Sequence, residues 1–444
     1  MKMEKKERSI APVSNQDATI HSVTRRRFLE TSVIAGAGTL LGTAPFARTW
    51  QAPLVDTLFY KGMCYQPMPF YVDPHRGVQP YSPSIANTTR IFFGSDIAYN
   101  CMEPLWGASF TSRSGTTYRF GRDDLRVLKD MGVNLVRLYD WEPRNYHKKF
   151  LDRCLTYGIK VLAPVSNYFL TPGQGYDHRQ QLIPQLLNSF SNGEQNNGTD
   201  YHPAIAGIIM GNEPFIPIPR PFGVEQMSQF TKDWVALESF PTKPKIGHPQ
   251  DFGRHDGETY PGWHLWTTLL DDQHLGHMKS RLFLATQPQN PANDLFVNFN
   301  GDNMGYVRAT YNRFGVPLLF TEIGKDRTKP DYLQVVDGQL RESIAYGAAH
   351  PEQLLGICHF QFADKVWLCP TGGSCPSEGS FGTHSHTQQF LGTVNYVAED
   401  FTHIDDCPPP PGNPCVPGNV PMKPDMLTRN PTYDEVVRNY SIRP

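Results

Sequence analysis

Past residue 55 the chain alternates two kinds of hydrophobic pattern. Short continuous apolar runs read as buried strands, and longer stretches with apolar residues every three to four positions read as amphipathic helices. TLFYKGMCYQP (57–67) is the first strand, and an insertion rich in Pro, Ser and aromatic residues follows to about residue 118. GRDDLRVLKDMG (121–132) predicts a helix stopped by glycine, and VNLVRLYDW (133–141) a buried strand. The alternation then runs on. Helix 144–158 precedes strand 159–167, helix 178–192 precedes strand 204–214, and helix 223–240 precedes strand 243–249. Helix 261–270, strand 280–290, helix 301–315, strand 316–324, helix 331–350 and strand 354–367 complete the series. Eight strands in this order predict an α/β fold, a (β/α)8 TIM barrel with long loop insertions. A closing helix at 430–441 is reached by a Pro-rich crossing from 407 to 424. An open doubly wound sheet normally carries a Gly-rich phosphate loop after its first strand, and KGMCYQP offers none.

The barrel pattern leaves out the first fifty residues. TRRRFLETSVIAGAGTLLGTAPFA holds an arginine cluster (Arg25, Arg26, Arg27), then Phe28 and Leu29, then a weakly apolar stretch of small residues. It resembles a twin-arginine export signal, which would span residues 1–47 and leave 55–444 as the catalytic domain with a Pro/Cys-rich C-terminal segment. A short hydrophobic helix or membrane anchor is the alternative, but the run from Ser32 to Leu41 falls short of the ~20 apolar residues a span needs. The expectation is therefore a periplasmic or secreted protein, monomeric, with no membrane association in the mature form. Export would place the eight cysteines in an oxidising compartment. Cys369 with Cys375, and Cys407 with Cys415, could each close a small loop, whereas Cys64, Cys154 and Cys358 sit in apolar contexts expected to be buried thiols. Cys101 is unassigned. A formal net charge of −2 provides no basic field for nucleic acid.

Two strands end in acids. AIAGIIMGNEP (204–214) delivers Asn212 and Glu213, and GVPLLFTEIG (315–324) delivers Glu322. In a (β/α)8 barrel the carboxyl ends of the strands form the active-site face, so acids from strands four and seven would face each other across its mouth. One such acid alone serves equally well as a loop cap or an arginine's partner. Two across a cleft are the machinery of glycoside hydrolysis, one a nucleophile and the other an acid and then a base. Their protonation states must differ for the two roles to coexist.

GNEP and TEIG resemble the acid/base and nucleophile motifs of glycoside hydrolase clan A, the retaining (β/α)8 glycosidases. The resemblance implies that Glu213 is the acid/base, Glu322 the nucleophile, and Asn212 a ligand of the sugar 2-hydroxyl. Arg137 in VRLYD matches the strand-two arginine that orients the nucleophile, with an ordinary salt bridge as the alternative. Trp367 matches the aromatic floor under the sugar, with core packing as the alternative. YKGMCYQP, LKDMGVNLVRLYDWEP and YGIKVLAPVS are most similar to the β-1,3-glucan-active endoglucanase and glucanosyltransferase families, which implies that Tyr65 lies near the nucleophile. The similarity is poor over 68–118, 240–300 and beyond 368. Strand six ends ATQPQN, without the tyrosine or histidine that often meets the nucleophile there.

Tyr168, Phe169, Phe215, Trp263 and Trp266 neighbour strand ends, where aromatic faces suit pyranose rings or simply the core; Tyr168 is counted with the substrate-binding set. His274, His277, His384 and His386 lack the acid of an H-E-x-x-H site, so no metal is expected. No G-x-S-x-G elbow or P-loop occurs, and no cofactor is expected. The reading is thus a secreted retaining β-glycosidase that hydrolyses or transglycosylates a β-glucan, with an oligo- or polysaccharide as partner. The alternatives are a clan A enzyme for mannan or cellulose, and a carbohydrate-binding barrel without catalysis.

Overall fold

The computed structural model describes residues 59–66, 109–111, 117–119, 124–141, 143, 147–170, 179–213, 223–250, 252, 259–363, 391–396 and 427–441. All belong to the unit Asp56–Pro444. Residues 1–47, expected from the sequence to form an export signal, and Cys101, Phe215, Trp367, Cys369, Cys375, His384, His386, Cys407 and Cys415 lie outside the described residues.

Eight parallel strands close into a barrel. They are β1 (Tyr60–Cys64), β2 (Leu135–Arg137), β3 (Lys160–Val165), β4 (Ile205–Met210), β5 (Lys245–Gln250), β6 (Leu282–Thr286), β7 (Leu318–Ile323) and β8 (Leu354–His359). Their order round the sheet is β1-β8-β7-β6-β5-β4-β3-β2, so each strand pairs with its sequence neighbours and β8 returns to β1. The helices are α1 (Asp124–Asp130), α2 (Lys148–Thr156), α3 (Asn167–Leu170), α4 (Arg179–Ser189), α5 (Val224–Leu237), α6 (Trp263–Leu269), α7 (Ala292–Phe296), α8 (Tyr306–Phe314), α9 (Tyr332–Ala349) and α10 (Pro431–Tyr440). The (β/α)8 expectation is met, and the closing helix lies where its pattern placed it. β8 is shorter than the run 354–367, ending at His359. Two small antiparallel ribbons, Ser109–Thr111 with Thr117–Arg119 and Val394–Tyr396 with Leu427–Arg429, were not anticipated. Among the described residues no helix is long and apolar enough to cross a membrane.

Alternation along the strands sorts side chains between two cores. Leu282 and Leu284 of β6, and Leu318 and Phe320 of β7, join the outer core against the helices. Phe283, Ala285 and Leu319 join the inner core, with Cys64, Leu135, Leu162, Ile209, Cys358 and Phe360. This period of two is what a pleated strand imposes. The helices supply the other half: α2 buries Phe150, Leu151 and Cys154 on one face. Gly132 ends the chain's turn after α1 at φ 84°, where a Cβ would also meet the Tyr440 backbone oxygen at 3.1 Å. Helix α10 is tied to β1 by Lys61 Nζ donating to the Tyr440 carbonyl (2.9 Å) and Tyr440 OH donating to the Gly62 carbonyl (2.7 Å). Cys64, Cys154 and Cys358 are buried thiols outside any disulfide, as their contexts predicted.

Buried His248 on β5 gives the fold a pH dependence. Its Nε2 lies 2.9 Å from Thr231 Oγ1, whose proton is given to the Met227 carbonyl at 2.9 Å, so Nε2–H is the donor to the hydroxyl. Burial lowers the His248 pKa from 6.5 to about 3. The unfolded chain binds this proton below pH 6.5 and the folded chain does not until about pH 3, so stability is full above 6.5 and falls as the pH drops towards 3. A tenfold change in proton affinity is worth about 1.4 kcal/mol, which makes this one residue a contributor of a few kcal/mol. Denaturant unfolding of wild type and His248→Gln between pH 7 and 4 should show a shallower pH slope in the variant. Equal slopes would contradict the assignment.

Candidate active site

A cleft of about 260 Å³ opens at the carboxyl ends of the strands. Gln66 lines it after β1, Tyr139 and Asp140 after β2, Asn167 after β3, Asn212 and Glu213 after β4, Glu322 from β7 and Phe360 after β8. The two acids singled out in the sequence therefore share one cavity.

Backbone irregularities bring them there. Simple alternation in β7 would carry Glu322 outward with Leu318 and Phe320. However, Ile357 pairs with Phe320 and His359 with Ile323, so β7 carries one residue more than β8 between these pairs. That bulge returns Ile323 to the outer core and turns Glu322 inward. At the end of β4, Gly211 takes φ 78° and Glu213 takes φ 45°. A non-glycine residue in the left-handed region is uncommon and costs on the order of 1 kcal/mol, and such strain concentrates at functional sites. Asn167 holds the segment in place: its Oδ1 accepts from the Asn212 N–H (2.7 Å) and its Nδ2 donates to the Asn212 carbonyl (2.8 Å).

Glu322 Oε1 accepts three hydrogen bonds, from Arg137 Nη1 (2.6 Å), Tyr139 OH (2.7 Å) and Gln287 Nε2 (3.1 Å). Asn212 Oδ1 accepts two, from Arg137 Nη2 (2.5 Å) and Gln287 Nε2 (2.7 Å). With Oδ1 so committed, Nδ2 is the atom through which Asn212 can donate to a bound molecule. Arg137 is fully buried. Burial opposes its charge, but the neighbouring Tyr139 and Glu322 outweigh that and hold its pKa above the ordinary arginine value. Burial also raises the Tyr139 phenol, which stays protonated and able to donate. The guanidinium carbon stands 3.8 Å from the centre of the Tyr139 ring, and that ring meets Phe360 edge-on at 6.4 Å.

A barrel with one acid at the end of strand four and another at the end of strand seven, the second paired to a strand-two arginine, fits the clan A plan. No family model matches the sequence, and no curated protein does either. Solved structures similar to the chain include a mutant of Gas2p from Saccharomyces cerevisiae with laminaritetraose and laminaripentaose, at 14% identity and a TM-score of 0.49, covering 86% of this chain and 63% of that one. Gas2p with laminaripentaose is 13% identical at a TM-score of 0.46, covering 86% and 65%. A glucosidase from Croceicoccus marinus is 14% identical at 0.39, covering 56% of each chain. The chain thus spans less than two thirds of the Gas2p chains. The fold assignment rests on the closed strand order rather than on these scores.

Of the residues chosen from sequence, Glu213, Glu322, Asn212 and Arg137 converge. Tyr65 does not: it is fully buried, its hydroxyl donates to Asp124 Oδ2 at 3.0 Å, and its ring packs on Phe150 and Phe362. Alternation explains the difference, because Cys64 points inward and Tyr65 therefore points towards the helices, leaving Gln66 to face the cleft. Trp367 and the side chain of Tyr168 lie outside the described residues. Phe169 and Trp266 are core residues, and Trp263 packs between Tyr260 and Phe314 rather than forming a sugar platform. Tyr139, Gln287 and Phe360 were missed. Tyr139 and Gln287 lie two residues beyond inward-facing Arg137 and Ala285, so strand alternation was a usable signal for both. Among the described residues no cluster of histidine, cysteine and acidic side chains could hold a metal.

Tyr139→Phe removes one of the three donors on Glu322, together with the hydroxyl's contact with Cys64. The expected loss in kcat/KM is about tenfold, the worth of one hydrogen bond to a charged group, with the melting temperature nearly unchanged. Steady-state kinetics beside thermal denaturation checks both halves.

Proposed function

We propose that this chain is a retaining β-glycosidase of the clan A type that hydrolyses or transglycosylates a β-glucan. Glu322 attacks the anomeric carbon and expels the leaving group, forming a glycosyl-enzyme. Glu213 donates a proton to the departing oxygen, then takes one from the incoming water or sugar hydroxyl. Asn212 Nδ2 binds the sugar 2-hydroxyl, a contact that strengthens as the oxocarbenium-like transition state forms. The observation that carries the reading is the loading of a single oxygen of Glu322. With Oε1 held by three donors, the carboxylate is fixed in one orientation, and Oε2 is the oxygen available to attack.

The laminari-oligosaccharides bound to Gas2p support β-1,3-glucan as the first substrate to try. Residues 1–47 support export by the twin-arginine route before the catalytic domain 55–444 acts outside the cytoplasm. Trp367 and Tyr168 remain candidates for substrate contact on the resemblance. The test is incubation with β-1,3-glucan, mixed-linkage glucan, mannan and cellulose, following reducing ends and transfer products by mass spectrometry. Cleavage or transfer on β-1,3-glucan or mixed-linkage glucan supports the proposal. Action on mannan or cellulose alone would move the substrate class, and no reaction on any would leave a binding barrel as the better reading.

A further inference from the structure

Gln287 has no part in the reading so far except as a donor, yet it occupies a singular position. It follows β6, is 7% exposed, and contributes one amide nitrogen with two protons to the site. One proton goes to Asn212 Oδ1 at 2.7 Å and the other to Glu322 Oε1 at 3.1 Å. Both acceptors are also held by the two terminal nitrogens of Arg137. Arg137 and Gln287 therefore bridge the same two oxygens, one with a charge and one without. The orientation of the amide follows from chemistry: a flipped Gln287 would set its carbonyl oxygen against two acceptors.

Resting on the glycosidase reading, we infer that Gln287 is a positioning residue that couples the nucleophile of strand seven to the sugar-binding amide of strand four. Without Gln287, Asn212 Oδ1 would keep a single bond, to Arg137, and its carboxamide could rotate about it, while Glu322 Oε1 would keep Arg137 and Tyr139 but lose its tie to Asn212 through a neutral donor. The second donor closes a four-membered network in which neither carboxylate nor carboxamide can turn without losing a bond to Gln287. This fixes Oε2 of Glu322 towards the anomeric carbon and Nδ2 of Asn212 towards the adjacent 2-hydroxyl. A neutral donor is suited to the place. Arg137 on β2 and Tyr139 just beyond it already face Glu322, Glu213 and Asp140 line the same cleft, and Cys64 and Cys358 lie in the barrel interior beside Arg137. A second cation would compete with Arg137 for both oxygens, while an acid would repel Glu322.

The inference separates from a plain structural role by substrate. Gln287→Met keeps the volume and removes both protons. On the normal β-glucoside it should lower kcat at least tenfold with KM changed less than threefold. On the matching 2-deoxy glycoside, where Asn212 has no hydroxyl to meet, the loss should shrink to a few-fold. Gln287→Asn, with its amide withdrawn, should not restore the rate, whereas Gln287→Glu should be worse than Gln287→Met. A substrate-free measurement stands beside the kinetics. The side-chain amide protons of Gln287, assigned by their disappearance in Gln287→Met, should shift in both Asn212→Ala and Glu322→Gln spectra. Equal losses on the two substrates, or amide signals that respond to only one partner, would overturn the coupling. A wild-type protein that cleaves no β-glycoside, with the amide shifts still present, would instead overturn the glycosidase reading on which the catalytic role rests.

Discussion

Glu322→Gln is expected to lower kcat/KM by roughly five orders of magnitude, the scale on which loss of a nucleophile acting as part of a unit is felt. The substitution keeps volume and shape, and an amide can still accept from Arg137 and Tyr139 through its oxygen. The protein should therefore fold with a melting temperature within a few degrees of wild type. Glu322→Ala is the poorer test. It would leave Nη1 of the fully buried Arg137 with neither a charge nor an acceptor opposite it, whereas glutamine keeps the acceptor, and stranding a buried charge costs about 3–5 kcal/mol. A dead Glu322→Ala protein would confound a lost reaction with a loosened barrel. External azide offers a second check on Glu322→Ala, since there a small anion entering the vacated space can take over the attack. It should restore activity on an activated glycoside and yield the glycosyl azide of inverted configuration. Kinetics with and without azide, beside circular dichroism, measure both effects. Undiminished activity in Glu322→Gln would remove the nucleophile from the account.

Arg137→Lys should cost about as much as many full deletions, even though the charge is kept. A guanidinium reaches Glu322 Oε1 with one nitrogen and Asn212 Oδ1 with the other, while its flat face lies on the Tyr139 ring. An ammonium is a single point and cannot serve both oxygens from the same place. It is also more strongly hydrated, and position 137 is 0% exposed, so burial without a full set of partners is penalised. The expected outcome is a fall of about 10²–10³ in kcat/KM, equivalent to about 3–4 kcal/mol of transition-state stabilisation, and a melting temperature lowered by several degrees. If Arg137→Lys retained most of its activity, Arg137 would be a counter-charge only, and the two-point grip would lose its standing.

The parts of this site legible in the sequence were those set by short-range pattern. Two apolar runs ending in GNEP and TEIG placed Glu213 and Glu322 at strand ends, and eight alternating runs placed those ends on one face. What the sequence concealed were departures from that pattern. The bulge in β7 is one residue of slippage against β8, and only the pairing partner reveals it. Without it the period of two would send Glu322 to the helices. The same period, applied to β1, correctly sends Tyr65 away from the cleft, and there the family resemblance misled where simple alternation would not have. Phe360 was overlooked because strand eight ends at His359, earlier than its apolar run. Aromatic residues such as Trp266 could not be divided between core and cleft before their packing partners were known.

The measurement closest to the central claim is capture of the intermediate. The protein is incubated with an activated 2-deoxy-2-fluoro analogue of whichever β-glucan oligosaccharide it cleaves, then weighed intact and mapped by peptide mass spectrometry. The account predicts one added glycosyl unit, carried by Glu322 in LLFTEIG and absent from Glu322→Gln. A glycosyl group on any other residue, or turnover that releases the inverted anomer with no adduct at all, would contradict it.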